Sequence, residues 1–134
     1  MSNIIEKIKE IPNLYHAKGC SDEQIEEAER ELGLKFPEEF IAYVKEYGAL
    51  SFYGTEWTGL NVGGYLNVVD ATKQERWLNS DFPKGYFVIE NQGIDGVFTV
   101  VNESGQVFTL QYDKVELLCD SLLEYLDVCI ARRK

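Results

Sequence analysis

The stretch YFVIENQGIDGVFTVVNESGQVFTLQYD, residues 86–113, decides the fold. Three runs rich in Val, Phe and Thr (86–90, 96–101 and 106–112) are separated only by Asn-Gln-Gly and Asn-Glu-Ser-Gly, residue types that favour tight turns. Connections this short cannot hold a crossover helix, so the runs pair as an antiparallel meander. A sheet of this kind needs cover, and the flanking sequence supplies it.

Downstream, Asp120 or Ser121 opens a helix over 121–131, whose Leu122, Leu123, Leu126 and Ile130 form an apolar stripe suited to one sheet face. Upstream, Pro83 and Gly85 mark a loop. Before it, a helix over 71–79 carries Trp77 and Leu78, with Asp70 as its expected cap and a strand expected over 64–69. Residues 49–70, with Gly54, Gly59, Gly63 and Gly64 between short β-type runs, read as strands and turns.

The N-terminal third is helical. Ile4, Ile5 and Ile8 make a short amphipathic helix over 3–10, which Pro12 ends. Ser21 and Gln24 have the spacing of a capping box, with Asp22 and Glu23 at the positive end of the helix they start. Ile25, Ala28 and Leu32 form its buried stripe, Glu26, Glu27, Arg30 and Glu31 face water, and Gly33 stops it. A third helix, 37–46, begins at Pro37 and turns Phe40, Ile41, Val44 and Tyr47 inward, giving a helical hairpin. The expected class is α+β: one antiparallel sheet with helices packed around it, an N-terminal helical hairpin and a C-terminal covering helix.

Composition narrows the function. The 134 residues are 45% hydrophobic and 13% aromatic, enough for one core, and a single domain over 1–134 is expected. The chain has 23 acidic and 13 basic residues, a net charge of −10, and its basic residues cluster only at Arg132-Arg133-Lys134. Direct nucleic-acid binding, which needs phosphate neutralisation, is disfavoured; a basic protein partner suits this charge. No run approaches the roughly 20 apolar residues of a membrane span, and residues 1–20 lack a secretory signal pattern, so no membrane association and a cytoplasmic location are expected.

The search for chemistry gives no catalytic set. The single histidine, His16, has no HExxH or Cys partner in sequence, and the glycines fit neither a dinucleotide nor a phosphate-loop motif. Cys20, Cys119 and Cys129 are odd in number and widely spaced, contain no CxxC pair, and suit a reduced protein with Cys119 and Cys129 buried and Cys20 the one accessible thiol. Adjacent pairs such as Glu26/Glu27 and Glu38/Glu39 point about 100° apart on a helix and read as solvated faces. Gly93, Asp95 and Gly96 read as a hairpin turn, since the ligand spacing of a calcium loop is missing. No enzyme activity, metal or cofactor is expected.

The stretch SDEQIEEAERELGLKFPEEFIAYVKEYGAL (21–50), with Ile25 and Glu29, then Leu32-Gly33, Leu34, Phe36-Pro37, Glu38-Glu39 and Tyr47-Gly48, resembles the N-terminal signature of the SUKH superfamily. Gly59-Leu60, FVIENQGIDGVFTVV and Gly105-Gln-Val-Phe extend the resemblance over nearly the whole chain; the acidic glycine-rich turn of the family is represented only by Gly93-Ile94-Asp95-Gly96. The superfamily includes the fungal Smi/Knr cell-wall regulators and many bacterial immunity proteins, and its fold is α+β. The resemblance implies a cytoplasmic immunity protein that binds and occludes a cognate, basic toxin, of a kind that includes many nucleases. A regulatory scaffold and a small-ligand-binding domain are the alternatives. Candidate partner contacts are Glu26, Glu27 and Glu31 on the second helix, and Tyr53, Glu56 and Trp57 in the glycine-rich region, where rigid aromatics beside an acid suit recognition of a basic surface. A core role suits the aromatics of that region somewhat better than a contact role.

Overall fold

The computed structural model describes residues 3–93 and 96–132. Among the described residues five α-helices run α1 Ile4–Lys9, α2 Asp22–Leu32, α3 Glu38–Tyr47, α4 Val68–Leu78 and α5 Leu122–Ala131. Seven strands run β1 Tyr15–His16, β2 Leu50–Phe52, β3 Thr55–Trp57, β4 Tyr86–Asn91, β5 Val97–Asn102, β6 Val107–Gln111 and β7 Lys114–Cys119. The α+β class holds, with two antiparallel sheets where one was expected: β1-β2-β3 and β4-β5-β6-β7. The small sheet meets the edge of the large one where Thr58 donates N–H to Ile89 O at 2.8 Å and Oγ1–H to Val88 O at 2.7 Å.

Helix starts and stops follow local chemistry. Ser21 and Gln24 form the capping box in full, and Gly33 ends α2 in the left-handed conformation at φ 67°. The buried stripe is Ile25, Ala28 and Leu32. In α3 the inward face is Phe40, Tyr43, Val44 and Tyr47; Tyr43 is fully buried and its hydroxyl donates to Thr58 O at 2.8 Å, whereas Ile41 is half-buried. Ser21 and Ser121 supply N-caps from their own side chains, but α5 takes a second cap from across the core: Glu39 accepts from Leu122 N at 2.8 Å and Leu123 N at 3.3 Å. Glu39 is therefore no solvated carboxylate; the positive end of α5 holds it.

The expected strand over 64–69 is instead a 3-10 turn over Gly64–Leu66 running into α4, and the cap of α4 is Asn67 rather than Asp70. The side chain of Asn67 accepts from Val69 N and Asp70 N, which starts the helix three residues earlier than alternation suggested.

The four-stranded sheet is covered on both faces. One face, with Phe87, Ile89, Val101 and Val107, joins α1, α2, α3 and α5 in the main core. The other, with Val88, Val100 and Leu110, packs against Ala71 and Phe82, and Val88 N donates to Thr72 Oγ1 of α4 at 3.0 Å. A bulge between Val88 and Glu90 sets Val88 opposite Val100 and Glu90 opposite Thr99, which turns Glu90 to the α5 side of the sheet. All three cysteines are buried and free, so Cys20 is not the accessible thiol that its position beside a helix start suggested; its backbone N–H is tied to Val44 O at 3.0 Å. Among the described residues, no helix is long and apolar enough to cross a membrane.

Candidate functional site

Residues 59–70 form a pinned ridge. Gly59 donates to Leu66 O at 2.8 Å and accepts from Val68 N at 2.9 Å, while Leu60 donates to Gly48 O at 2.9 Å. Gly59 lies so close to Gly48 that a built Cβ would stand 1.6 Å from its carbonyl oxygen, so only glycine lets the two backbones meet. Asn61, at φ 62°, donates to Lys18 O at 3.3 Å and accepts from Gln24 Nε2 at 3.3 Å. Asn67 Nδ2 holds Val62 O at 3.0 Å. The ridge is thus fixed to α2, α3 and α4 together.

A concavity lies on each side of it. Toward α2, an open groove of about 810 Å³ is lined by Glu23, Glu27, Glu31, Asn61 and Asp70. Glu27 pairs with Arg30 at 2.6 Å and Glu31 with Lys73 at 2.5 Å. Among the described residues no cation pairs with Glu23 or Asp70. Toward the outer sheet face, a more enclosed cleft of about 310 Å³ has Leu66, Val88 and Phe98 among its walls, with Glu56, Tyr65 and Glu75 at its polar side. Tyr65 O–H donates to Glu56 at 3.0 Å, and that hydrogen bond, then the carboxylate's charge, holds the phenol above its ordinary range. Burial raises the Glu75 carboxyl above its ordinary value, and no described cation faces it. A cleft with an apolar wall of Leu66, Val88 and Phe98, a polar remainder and carboxylates at its side suits a long cationic side chain, stem against the wall and head at the acids.

The structure divides the sequence candidates among several places. Glu27 and Glu31 line the α2 groove, whereas Glu26 is exposed in a separate depression with Arg30, Lys35 and Glu103. Glu56 belongs to the enclosed cleft. Tyr53, 47% exposed at the tip of the β2–β3 hairpin, accepts from Asn13 Nδ2 at 3.3 Å and stands apart from both. Trp57 leaves the surface altogether: it is fully buried and stacks on Tyr125 with ring centroids 5.8 Å apart and planes 6° from parallel. Tyr65 and Glu75 complete the site without having been singled out, and Asp70, read from sequence as a helix cap, lines the α2 groove. The signal for Tyr65 was the Gly63-Gly64 pair, which lets Gly64 adopt φ 71° ahead of an exposed Tyr65.

A second polar cluster lies inside. Tyr125 O–H donates to Glu90, Thr99 Oγ1 lies 2.9 Å from the same hydroxyl, and Arg132 Nη2 reaches Glu90 Oε1 at 2.7 Å. Gln92 bridges Thr99 Oγ1 at 2.6 Å and Arg132 Nη1 at 3.0 Å. The Cys129 thiol, pushed up to about 11 by burial and then by the Glu90 charge, stays protonated at neutral pH and is no nucleophile. His16 is exposed on β1, edge-on to Tyr47 at 5.2 Å. Among the described residues, no group of three His, Cys, Asp or Glu is placed to hold a metal ion. Ile94 and Asp95 of the turn read between the first two runs of the meander lie outside the described residues, as do Arg133 and Lys134.

Comparison with known families agrees with the resemblance seen in residues 21–50. The SUKH_5 family, described as SMI1-KNR4 cell-wall, matches residues 1–130, and the chain belongs to it. No curated protein matches the chain.

Proposed function

We propose that this SUKH-family chain is a non-catalytic immunity protein that binds a basic cognate toxin in the cytoplasm of a bacterium and neutralises it by occlusion. The observation that carries the reading is the acid-lined ridge: two concavities on either side of residues 59–70, one with Glu23, Glu27, Glu31 and Asp70, the other with Glu56 and Glu75, in a chain of net charge −10. A toxin that handles nucleic acid presents basic residues where phosphates bind. Complementary charge speeds encounter with such a surface, and occupation of that surface blocks it. Family membership supports the same reading, since immunity work is common in the superfamily.

The test is co-expression with the toxin-like protein encoded beside this chain, scored by survival and by complex formation at low and raised salt. Rescue with salt-sensitive binding is the expected result. Absence of both rescue and complex would overturn the reading.

A second reading has one observation in its favour. The enclosed cleft has the size of a small-molecule site at the lower end of the usual range of roughly 300–1,000 Å³. A small cationic ligand that shifts the resonances of Glu75 and Phe98 without any protein partner would favour it over immunity.

A further inference from the structure

We infer that β7 is a self-pairing edge, through which two copies of this chain join into one continuous eight-stranded antiparallel sheet. β7 stands last in the order β4-β5-β6-β7, with β6 on one side and no strand on the other among the described residues. An edge of this kind offers its backbone N–H and C=O groups to another strand. Its side chains are also unusually bare: Val115 is 37%, Leu117 56% and Leu118 41% exposed. Register places Val115 beside Leu110 and Leu117 beside Phe108, so both extend the apolar sheet face that α4 covers only in part. Tyr112, 66% exposed, continues the patch at the β6–β7 turn, where Asn79 of the α4 end donates to its carbonyl at 2.8 Å. Exposed apolar side chains gathered along the edge strand of an otherwise highly charged protein mark an association face.

The charges of the strand name the occupant. Two copies of β7 related by a twofold axis pair about a residue set opposite its own copy, and three of these registers are centred on Lys114, Val115 and Glu116. The first and third set like charges against each other; the second sets each Lys114 against the partner's Glu116, twice, and Val115 against itself. The Val115-centred register is therefore self-complementary within the strand; one centred on Leu117 sets Glu116 against Leu118, and one centred on Leu118 sets Glu116 against Asp120. Among the described residues neither Lys114 nor Glu116 has an ion-pair partner within its own chain. The acid-lined ridge belongs to other elements, and the repulsion between two chains of net charge −10 falls with ionic strength. The dimer should tighten with salt, opposite to the binding of a basic partner.

The experiment is sedimentation or light scattering of the full chain across a concentration series. The mass should rise from 15.3 kDa toward twice that value, more readily at raised salt. Lys114→Glu and Glu116→Lys should each weaken dimerisation roughly tenfold, since two attractive pairs become two repulsive ones. An equimolar mixture of the two variants, and the double variant, should dimerise like the wild type. Both side chains are exposed, and unchanged thermal melting of the double variant checks the fold. A chain that stays at 15.3 kDa at every concentration overturns the proposal and leaves the face to another kind of partner. So do single variants that dimerise as well as the wild type.

Discussion

Arg132 Nη2 lies 2.7 Å from Oε1 of Glu90, and the pair ties the C-cap of α5 to the bulged edge of the sheet. The Glu90 side chain is 6% exposed, and Tyr125 O–H, Arg132 and, more weakly, Cys129 S–H at 3.9 Å compensate its charge and lone pairs. Arg132 also lies 5.7 Å over the Tyr125 ring and 3.0 Å from Cys129 Sγ. One guanidinium therefore closes a site that the bulge created. Without the bulge, alternation would turn Glu90 toward Val100 and Phe98.

Replacing Arg132 with alanine strands that carboxylate. A buried charge left without its partner costs about 3–5 kcal/mol, and the half-open position of the guanidinium reduces this to about 2–4 kcal/mol. Urea unfolding of Arg132→Ala should show this loss, whereas Glu90→Gln, which removes the charge but keeps shape and hydrogen bonding, should cost less. Equal losses would mean that charge compensation is not what the pair provides.

The same cluster sets an alkaline limit. The Cys129 thiol ionises near 9 in an unfolded chain and near 11 when folded, because burial and the Glu90 charge disfavour the thiolate. Between these values the unfolded state releases a proton that the folded state keeps. This contribution is full below pH 9 and is lost as pH rises through 11, a total of about 3 kcal/mol. Tyr125 and Tyr43 are displaced upward as well, chiefly by burial, and add to the loss above pH 10. Denaturant midpoints at pH 8 to 11 should fall, with a shallower fall in Cys129→Ala. A flat profile would contradict the burial of these groups.

Periodicity carried the reading where one face of an element is buried. Ile25, Ala28 and Leu32 could be read from spacing, as could the capping box and the Gly33 stop. The strand Lys114–Cys119 could not, because its exposed Val115, Leu117 and Leu118 give no alternation of polar and apolar faces. Residues 64–69 misled for another reason: Asn67 caps through its side chain, and that bond overrides the β propensity of Val68 and Val69. The acidic surface was half legible. Glu27 and Glu31 follow from the solvent face of one helix, but Glu56, Tyr65 and Glu75 meet only because a pinned ridge brings three elements together, a tertiary fact that spacing does not encode.

That ridge depends on glycine in two different senses. At Gly59 a side chain would overlap the Gly48 backbone, so Gly59→Ala should cost more than about 3 kcal/mol or prevent folding. At Gly33 the backbone is left-handed but the space is open, and Gly33→Ala should cost about 1 kcal/mol. Thermal melting of the two variants separates close approach from conformation; similar losses would refute the distinction.

The acid-lined ridge makes a graded prediction about partner binding. Glu27 and Glu31 already hold Arg30 and Lys73, so a basic partner must compete for them, while Glu75 faces its cleft without a cation among the described residues. Burial also raises the Glu75 carboxyl, so a cation that reaches it relieves an unfavourable charge. Glu75→Gln should therefore weaken binding of the toxin-like neighbour roughly tenfold, mainly through faster dissociation. Glu26→Gln, on a different depression, should change association by less than about threefold and only at low salt, where long-range steering operates. Surface plasmon resonance at two ionic strengths gives both rates. If Glu26→Gln proved the more damaging, the contact face would lie on the Arg30 side of α2 and not along the ridge.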